Sequence, residues 1–531
     1  GYMIVPIVAM GLLGKRLNQI SRRGEAVTIP EVLGQRFESP IAGIVGTLLI
    51  VIFIFYYLLA QFKAGSEILI SLLSEVSHFQ TAVQWTASIT ASIPFLRGTE
   101  PDYVLCLSVF SAAVIFYVVY GGFRAVVWTD VMQGIIMFGG VVVMLVLALY
   151  FTGGLAKANQ KLAQYKPPAF GTAKLTPPKA FTEEAIPRGT WLETTDGQLV
   201  RTARRVEIDS VDINSAEILM LRTEIEQEAV NPRLIRRDIQ VEILERDPYA
   251  YGADIEGVYL RPPGPDPAKA GGFLALGMAF SFFVFWPFGG AGQPSNMVRL
   301  MAFRDTKTLR MSIITVAIYF SVIYFSLVVI FCCAKVLIPG MEVNPDRIMP
   351  EMAVQSTTMA GVPWLAGILL AAPFAAVMSS VDSFLLVVSS SLVRDIYQRY
   401  INPTAEESQL KKVTYGGTIT IGLLATVAAL YPPRYLQDII VIASAGLAAS
   451  FLVPMAFALY WRRATAAGIV SGMIVGCLTH FILTFVVSGG SLLGLQPFVW
   501  DVLFSALAVY GVSLLTKPPH EEVIRRYFDV D

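Results

Sequence analysis

Apolar runs of roughly 18 residues or more recur along the chain, each long enough to cross a hydrocarbon layer about 30 Å thick. The buried helices of a soluble enzyme seldom run so long, or so often, without a charged face. Composition points the same way: of 531 residues, 55% are hydrophobic and 15% charged, against about 25% charged in an ordinary soluble domain. The pattern predicts a polytopic, all-α membrane protein embedded in a lipid bilayer. Complete crossings are expected near 41–72, 103–120, 126–152, 271–297, 311–337, 363–391, 413–431, 435–460, 466–488 and 492–515. The chain opens in mid-helix at "GYMIVPIVAMGLLGKRL", which reads as a fragment lacking its N-terminal helices. Basic and acidic residues balance at 40 each, giving no sign of a nucleic-acid partner.

Charge in the short loops sets an orientation. With "GKRLNQISRRGEAVTIPEVLGQRF" cytoplasmic, the cytoplasmic connections and tail hold 19 Lys and Arg, Arg124 among them. The short outer ones hold 3: Arg97, Arg347 and Arg434. The C-terminus is therefore expected in the cytoplasm. Residues 154–270 interrupt the crossings and are expected outside. Within them "KPPAFGTAKLTPPKAFTEEAIP" reads as proline-rich and extended. "GQLVRTARRVEI", "AEILMLRTEIEQ" and "RDIQVEILERD" alternate like half-buried strands, predicting a small β-rich extramembrane unit. The expected organisation is helices over 1–153, the insert over 154–270, more helices over 271–460, and accessory helices with a short tail over 461–531.

One crossing carries unusual chemistry. "AAPFAAVMSSVDSFLLVVSSSLVRDIY", residues 371–397, holds six serines and Asp382. Ala376, Ser379, Ser380 and Ser383 follow an i, i+3, i+4, i+7 pattern and share a helical face. Serines smoothing helix–helix contact account for most such residues in membranes. A mid-bilayer carboxylate costs about 2.5–3.5 kcal/mol on insertion scales and commonly marks a pathway or a cation. Clustered oxygens suit a hard cation. In "GGFRAVVWTDVMQ", paired glycines break one helix, and Asp130 just inside the next suits an acid at a cytoplasmic exit; a helix-dipole role is the plainer reading. In "FFVFWPFGGAGQPSNMVR", Pro287, Gly289, Gly290, Gly292 and Pro294 predict a helix broken at membrane depth. Phe285, Trp286 and Phe288 lie beside that break, placed to cover a small solute or simply to pack.

Together with "TIPEVLGQRF" and "WRRATAAGIVSGMIVG", these segments resemble, in order, the sodium:solute symporter family over nearly all the membrane part. The resemblance implies a LeuT-type bundle of two inverted repeats, with thirteen spans of which the first two would be missing here. It implies Na⁺ as the coupling ion, held by the Ala376 carbonyl and the hydroxyls of Ser379 and Ser380. Asp382 and Ser383 match positions that hold a second ion in some members, so a second Na⁺ or a proton is a candidate there. Asp130 matches the acid on the sodium exit route. Gln293, in the "GQP" motif, joins the aromatics as a candidate substrate contact. The branches transporting pantothenate and proline are nearest, although Ser295 stands where those usually carry histidine. The implied activity is symport of a small organic solute (pantothenate, amino acid or monocarboxylate) across a bacterial inner membrane, without an organic cofactor or catalytic residues. Two alternatives are a transporter-like sensor using the insert and a carrier for another class such as sugars.

Overall fold

The structure, a computed structural model, describes residues 2–74, 76–178, 185–208, 213–432, 435–487 and 491–528; the side chains of residues 2, 122–127 and 214 lie outside that description. The helices announce their starts locally. After α1 (Val5–Val8) and α2 (Lys15–Gly24), Thr28 and Glu31 form a reciprocal capping box at the head of α3 (Ile29–Arg36). Ser39 caps α4 (Pro40–Leu73), whose first position is proline, a residue with no N–H to lose there. The next helices are α5 (Ser77–Ser92), α6 (Pro101–Thr152) and α7 (Leu155–Leu162).

α6 is assigned as unbroken helix, yet it cannot be straight. Tyr117 Oη and Thr129 Oγ1 lie 2.6 Å apart, whereas twelve residues of straight helix span about 18 Å. Further along, Phe110 packs edge-on against Phe374, with ring centroids 5.7 Å apart, while Gly140 abuts Ala372. The chain therefore doubles back between Tyr117 and Thr129, the stretch holding the paired glycines, and presents two limbs. The side chain of Arg124 falls in the undescribed part of this reversal.

Beyond the insert come α9 (Leu276–Ala291), α10 (Pro294–Met301), α11 (Thr306–Leu337), α12 (Ile348–Met359) and α13 (Leu365–Ser390), which runs on as a π-helix to Ile401. Then follow α14 (Glu407–Ala429), α15 (Leu436–Tyr460), α16 (Ala466–Phe481), α17 (Pro497–Leu515) and α18 (Glu521–Phe528). Eight described helices are long and apolar enough to cross a membrane, counting the limbs of α6 separately. Two of the ten expected crossings fall short of that standard. The run at 271–297 divides into α9, of 16 residues, and α10; α14 begins with Glu407 and carries Lys411 and Lys412. α15 is central: 78% of its apolar window is buried, against 22% for the second limb of α6 and for α11. The four cysteines are free. Arg434 lies outside the described residues.

The insert is built on a six-stranded sheet ordered β7-β3-β4-β6-β1-β8, with β2 and β5 paired beside it. The strands are β1 (Ala169–Thr176), β2 (Ala185–Ile186), β3 (Trp191–Glu193), β4 (Leu199–Thr202), β5 (Val206–Glu207), β6 (Ile213–Met220), β7 (Ile235–Arg236) and β8 (Gln240–Asp247), with α8 (Glu224–Glu228) following β6. The "PPAFGTAKLTPP" stretch is more than an extended linker. Its prolines sit outside the strand, so β1 keeps its N–H groups and pairs with both β6 and β8. β4, expected to be half-buried, is covered on both sides. Val200 faces the insert's own core with Ala173, Leu192 and Ile218, whereas Leu199 packs in a second cluster with Trp191, Leu219 and Val343. Val343 belongs to the α11–α12 connection, so that second face seats the insert on the helical bundle. Arg201 secures the seat by donating to Gly340 O at 3.0 Å and to its own Gly189 O at 2.8 Å, while Arg188 donates to Val343 O. Burial against the bundle holds the Arg201 guanidinium down to about 10.

Candidate functional site

The break expected in the fourth apolar run occurs at Gly292 and Gln293, between α9 and α10. Gly292 keeps helical angles, while Gln293 turns extended at φ −80°, ψ 122°. A Cβ on Gly292 would lie 2.7 Å from the Ala448 Cα, so only glycine lets the break sit against α15. The carbonyl of Gly290, close to the end of α9, accepts from the Asn296 side chain at 2.9 Å, which closes the gap with protein rather than lipid.

A cavity of about 260 Å³ opens beside this break. Phe285, Trp286 and Gln293 line one wall, and Ser379, Ser380 and Ser383 of α13 the other. Tyr57 of α4, Tyr324 of α11 and Ser444 of α15 complete it, with Asn296 and Arg299 from α10. Phe288 stands apart: it is 39% exposed and does not line the cavity, lying about 160° round α9 from Trp286.

The oxygen-bearing face of α13 is tied to both neighbours. Ser379 Oγ donates to Asp130 Oδ1 at 2.6 Å, and Ser380 Oγ donates to the Ala376 carbonyl at 3.1 Å. Asp130 Oδ2 accepts from Arg299 Nη2 at 3.1 Å, and the same nitrogen donates to Ser383 Oγ at 2.9 Å. Ser379, Asp130, Arg299 and Ser383 thus form one network beside the cavity, and the Ser380–Ala376 bond lies next to it on the same face of α13. The Ser379–Asp130 bond is charge-assisted and short, so it fixes a rotamer. The Arg299–Asp130 ion pair is half-open to solvent and contributes about 0–1 kcal/mol. Hydroxyl lone pairs, a main-chain carbonyl and a carboxylate gathered in this way offer the all-oxygen surroundings that a hard monovalent cation takes.

Asp382 does not join this wall. One residue before Ser383, and so about 100° round the helix, it is fully buried beside Tyr117 and near Asp130. Tyr57, Asn296, Arg299 and Ser444 were not legible as site residues. Arg299 lies inside the "GQPSNMVRLMA" segment, but nothing in the spacing pairs it with a carboxylate 169 residues earlier. Among the described residues no three His, Cys, Asp or Glu side chains gather into a metal site.

The model of the sodium:solute symporter family matches residues 100–192 and 264–476. The unmatched stretch between them lies within the insert. The chain is 27% identical over 527 residues to the sodium/pantothenate symporter of Escherichia coli K12, covering 97% of this chain and 81% of that protein. It is 24% identical to the osmoregulated proline transporter OpuE of Bacillus subtilis 168, covering 97% and 80%. A solved structure of a Na⁺-coupled sialic acid symporter, substrate-bound and outward-open, superposes with a TM-score of 0.54 at 17% identity. That superposition covers 98% of this chain and 84% of that one, a likeness of fold.

Proposed function

Because the chain belongs to the sodium:solute symporter family, and is thus an integral membrane transporter coupled to Na⁺ rather than an enzyme, we propose that it imports a small carboxylate-bearing solute of the pantothenate, amino-acid or monocarboxylate type. Na⁺ sits against the Ala376 carbonyl and the hydroxyls of Ser379 and Ser380, and leaves past Asp130. The observation that carries this reading is the single hydrogen-bonded network in which Ser379 and Asp130 meet at the wall of a solute-sized cavity. Arg299 and Gln293 offer donors to a carboxylate, and Phe285 and Trp286 cover an apolar body. The names of the relatives support the pantothenate or proline end of the range.

In this reading the protein lies in the bacterial inner membrane, the C-terminus faces the cytoplasm and the insert faces outward, as the 19-to-3 distribution of basic residues favours. Bound Na⁺ ties α13 to the rest of the bundle, and rocking of one helical group against the other exposes the cavity to each side in turn. The driving force suffices. A 100 mV potential supplies about 2.3 kcal/mol per charge. A tenfold Na⁺ gradient adds about 1.4, enough for several-hundredfold accumulation of a zwitterionic amino acid with one Na⁺; a monoanion needs a second Na⁺ to draw on the potential. The insert grips the α11–α12 connection through Arg188, Arg201 and Val343, which favours an integral part of the transporter over a separate sensor.

The test is a solute screen by Na⁺-driven uptake into vesicles holding the full-length protein. Concentrative uptake of pantothenate, proline or a monocarboxylate that collapses without a Na⁺ gradient supports the proposal. Uptake indifferent to Na⁺, or confined to sugars, contradicts it.

A further inference from the structure

Outside the α13 network, His480 of α16 and Asp501 of α17 meet inside the bundle, 2% and 0% exposed. His480 Nδ1 lies 2.8 Å from Asp501 Oδ2, and Nε2 lies 3.0 Å from the carbonyl oxygen of Ile442 in α15. The Phe53 ring of α4 meets the imidazole edge-on at 6.1 Å. The same ring presses on Gly446, one turn beyond Ile442. Phe53 and His480 therefore bear together on one face of α15, and Ser444, midway along that turn, lines the cavity.

Donor counting fixes what the pair must hold. A carbonyl only accepts, so Nε2 must carry a hydrogen. Nδ1 then either carries a second hydrogen toward an ionised Asp501 or accepts one from a protonated Asp501. Both arrangements hold two protons and are neutral overall. With one proton, two lone pairs would face each other at 2.8 or 3.0 Å, and an uncompensated charge would sit in an apolar interior. Among the described residues Asp501 Oδ1 has no hydrogen-bond partner to steady that charge. The groups facing the pair are the Ile442 carbonyl from α15, Phe53 from α4 and, on its own helix, the Cys477 thiol.

We propose that His480 and Asp501 form a doubly protonated brace, a pair of positioning residues that hold α15 beside the cavity from the accessory helices. The consequence for transport rests on the reading of that cavity given above; the proton count does not. The experiment uses the full-length protein in nanodiscs, with ¹⁵N-histidine NMR and the infrared carboxyl band of wild type minus Asp501→Asn, at neutral pH. Two protons on the pair are expected, as a doubly N–H imidazole or as a carboxylic acid beside a singly protonated ring. A bare ring nitrogen beside an ionised Asp501 overturns the proposal. Asp501→Asn keeps both contacts, since its amide donates to Nδ1 while Nε2–H still reaches Ile442, and uptake should stay within about twofold of wild type. Asp501→Ala and His480→Ala strand a buried partner and should lower uptake roughly tenfold or more. An Asn variant as damaged as the Ala variant, or an undamaged His480→Ala, overturns the brace. Loss of Na⁺ dependence in wild type itself strikes instead at the symport reading.

Discussion

The Ser379 hydroxyl donates to Asp130 Oδ1 across 2.6 Å. That bond joins a helix face made of serine and carbonyl oxygens to the second limb of α6, and it puts the acid expected at the exit in direct contact with the expected ion ligands. In the proposed reading, an ion leaving Ser379 would find Asp130 as its next oxygen. Asp130→Asn can keep the Ser379 hydrogen bond but removes the charge and the acceptor for Arg299, so turnover should fall about tenfold, the scale of one charge-assisted bond, with little change in outer Na⁺ affinity. Pre-steady-state currents separate the two. An unchanged turnover refutes the exit role.

Arg299 bridges Asp130 and Ser383. Lysine carries the charge, but its shorter, flexible stem does not set an ammonium where the planar guanidinium holds the one nitrogen that serves both partners. Arg299→Lys should therefore raise the half-saturating solute concentration severalfold, and Arg299→Ala by roughly tenfold, an estimate from the loss of a hydrogen bond to a charged group. Both are read from uptake at saturating Na⁺.

Gly292 sits where any side chain would meet the Ala448 backbone at 2.7 Å. Gly292→Ala must push α9 from α15, at a cost of about 1–3 kcal/mol. The expected outcome is a lower unfolding temperature in detergent together with impaired uptake. Ala at Gly416, where a Cβ meets nothing, serves as the control.

The break at Gly292 was readable in advance because the cause is local: prolines and glycines clustered in an apolar run. The shared face of Ala376, Ser379, Ser380 and Ser383 was readable for the same reason, as a helical repeat within eight residues. What periodicity could not supply was any pairing across the fold. Asp130 with Arg299, Arg201 with Gly340 and His480 with Ile442 join residues far apart in sequence, and no spacing rule reaches them. Phe288 was misplaced by proximity to the break, since adjacency in sequence does not fix which side of a helix a ring occupies. In β1 the flanking prolines give the stretch the composition of an extended linker, and only its pairing with β6 and β8 shows it to be a strand.

In the insert, Glu226 of α8 is fully buried; one carboxylate oxygen accepts from Thr223 at 2.8 Å and the other has no partner. Burial raises its pKa above the ordinary carboxylate value. The folded state therefore binds this proton more tightly than the unfolded chain, so stability should rise as pH falls through the folded pKa and level off below the unfolded one. Glu226→Gln should flatten that part of the profile. Unfolding temperature against pH, compared for the two proteins, checks it; a profile unaltered by the substitution contradicts the assignment.

The measurement closest to the central claim is equilibrium binding of radiolabelled Na⁺ to the purified full-length protein, wild type against Ser379→Ala and Ser380→Ala. Each substitution deletes one oxygen of the proposed ion site, and the half-saturating Na⁺ concentration should rise about tenfold or more, the cost of roughly 1.4 kcal/mol or greater for a lost charged contact. Wild-type affinity in both variants would place the ion elsewhere in the bundle.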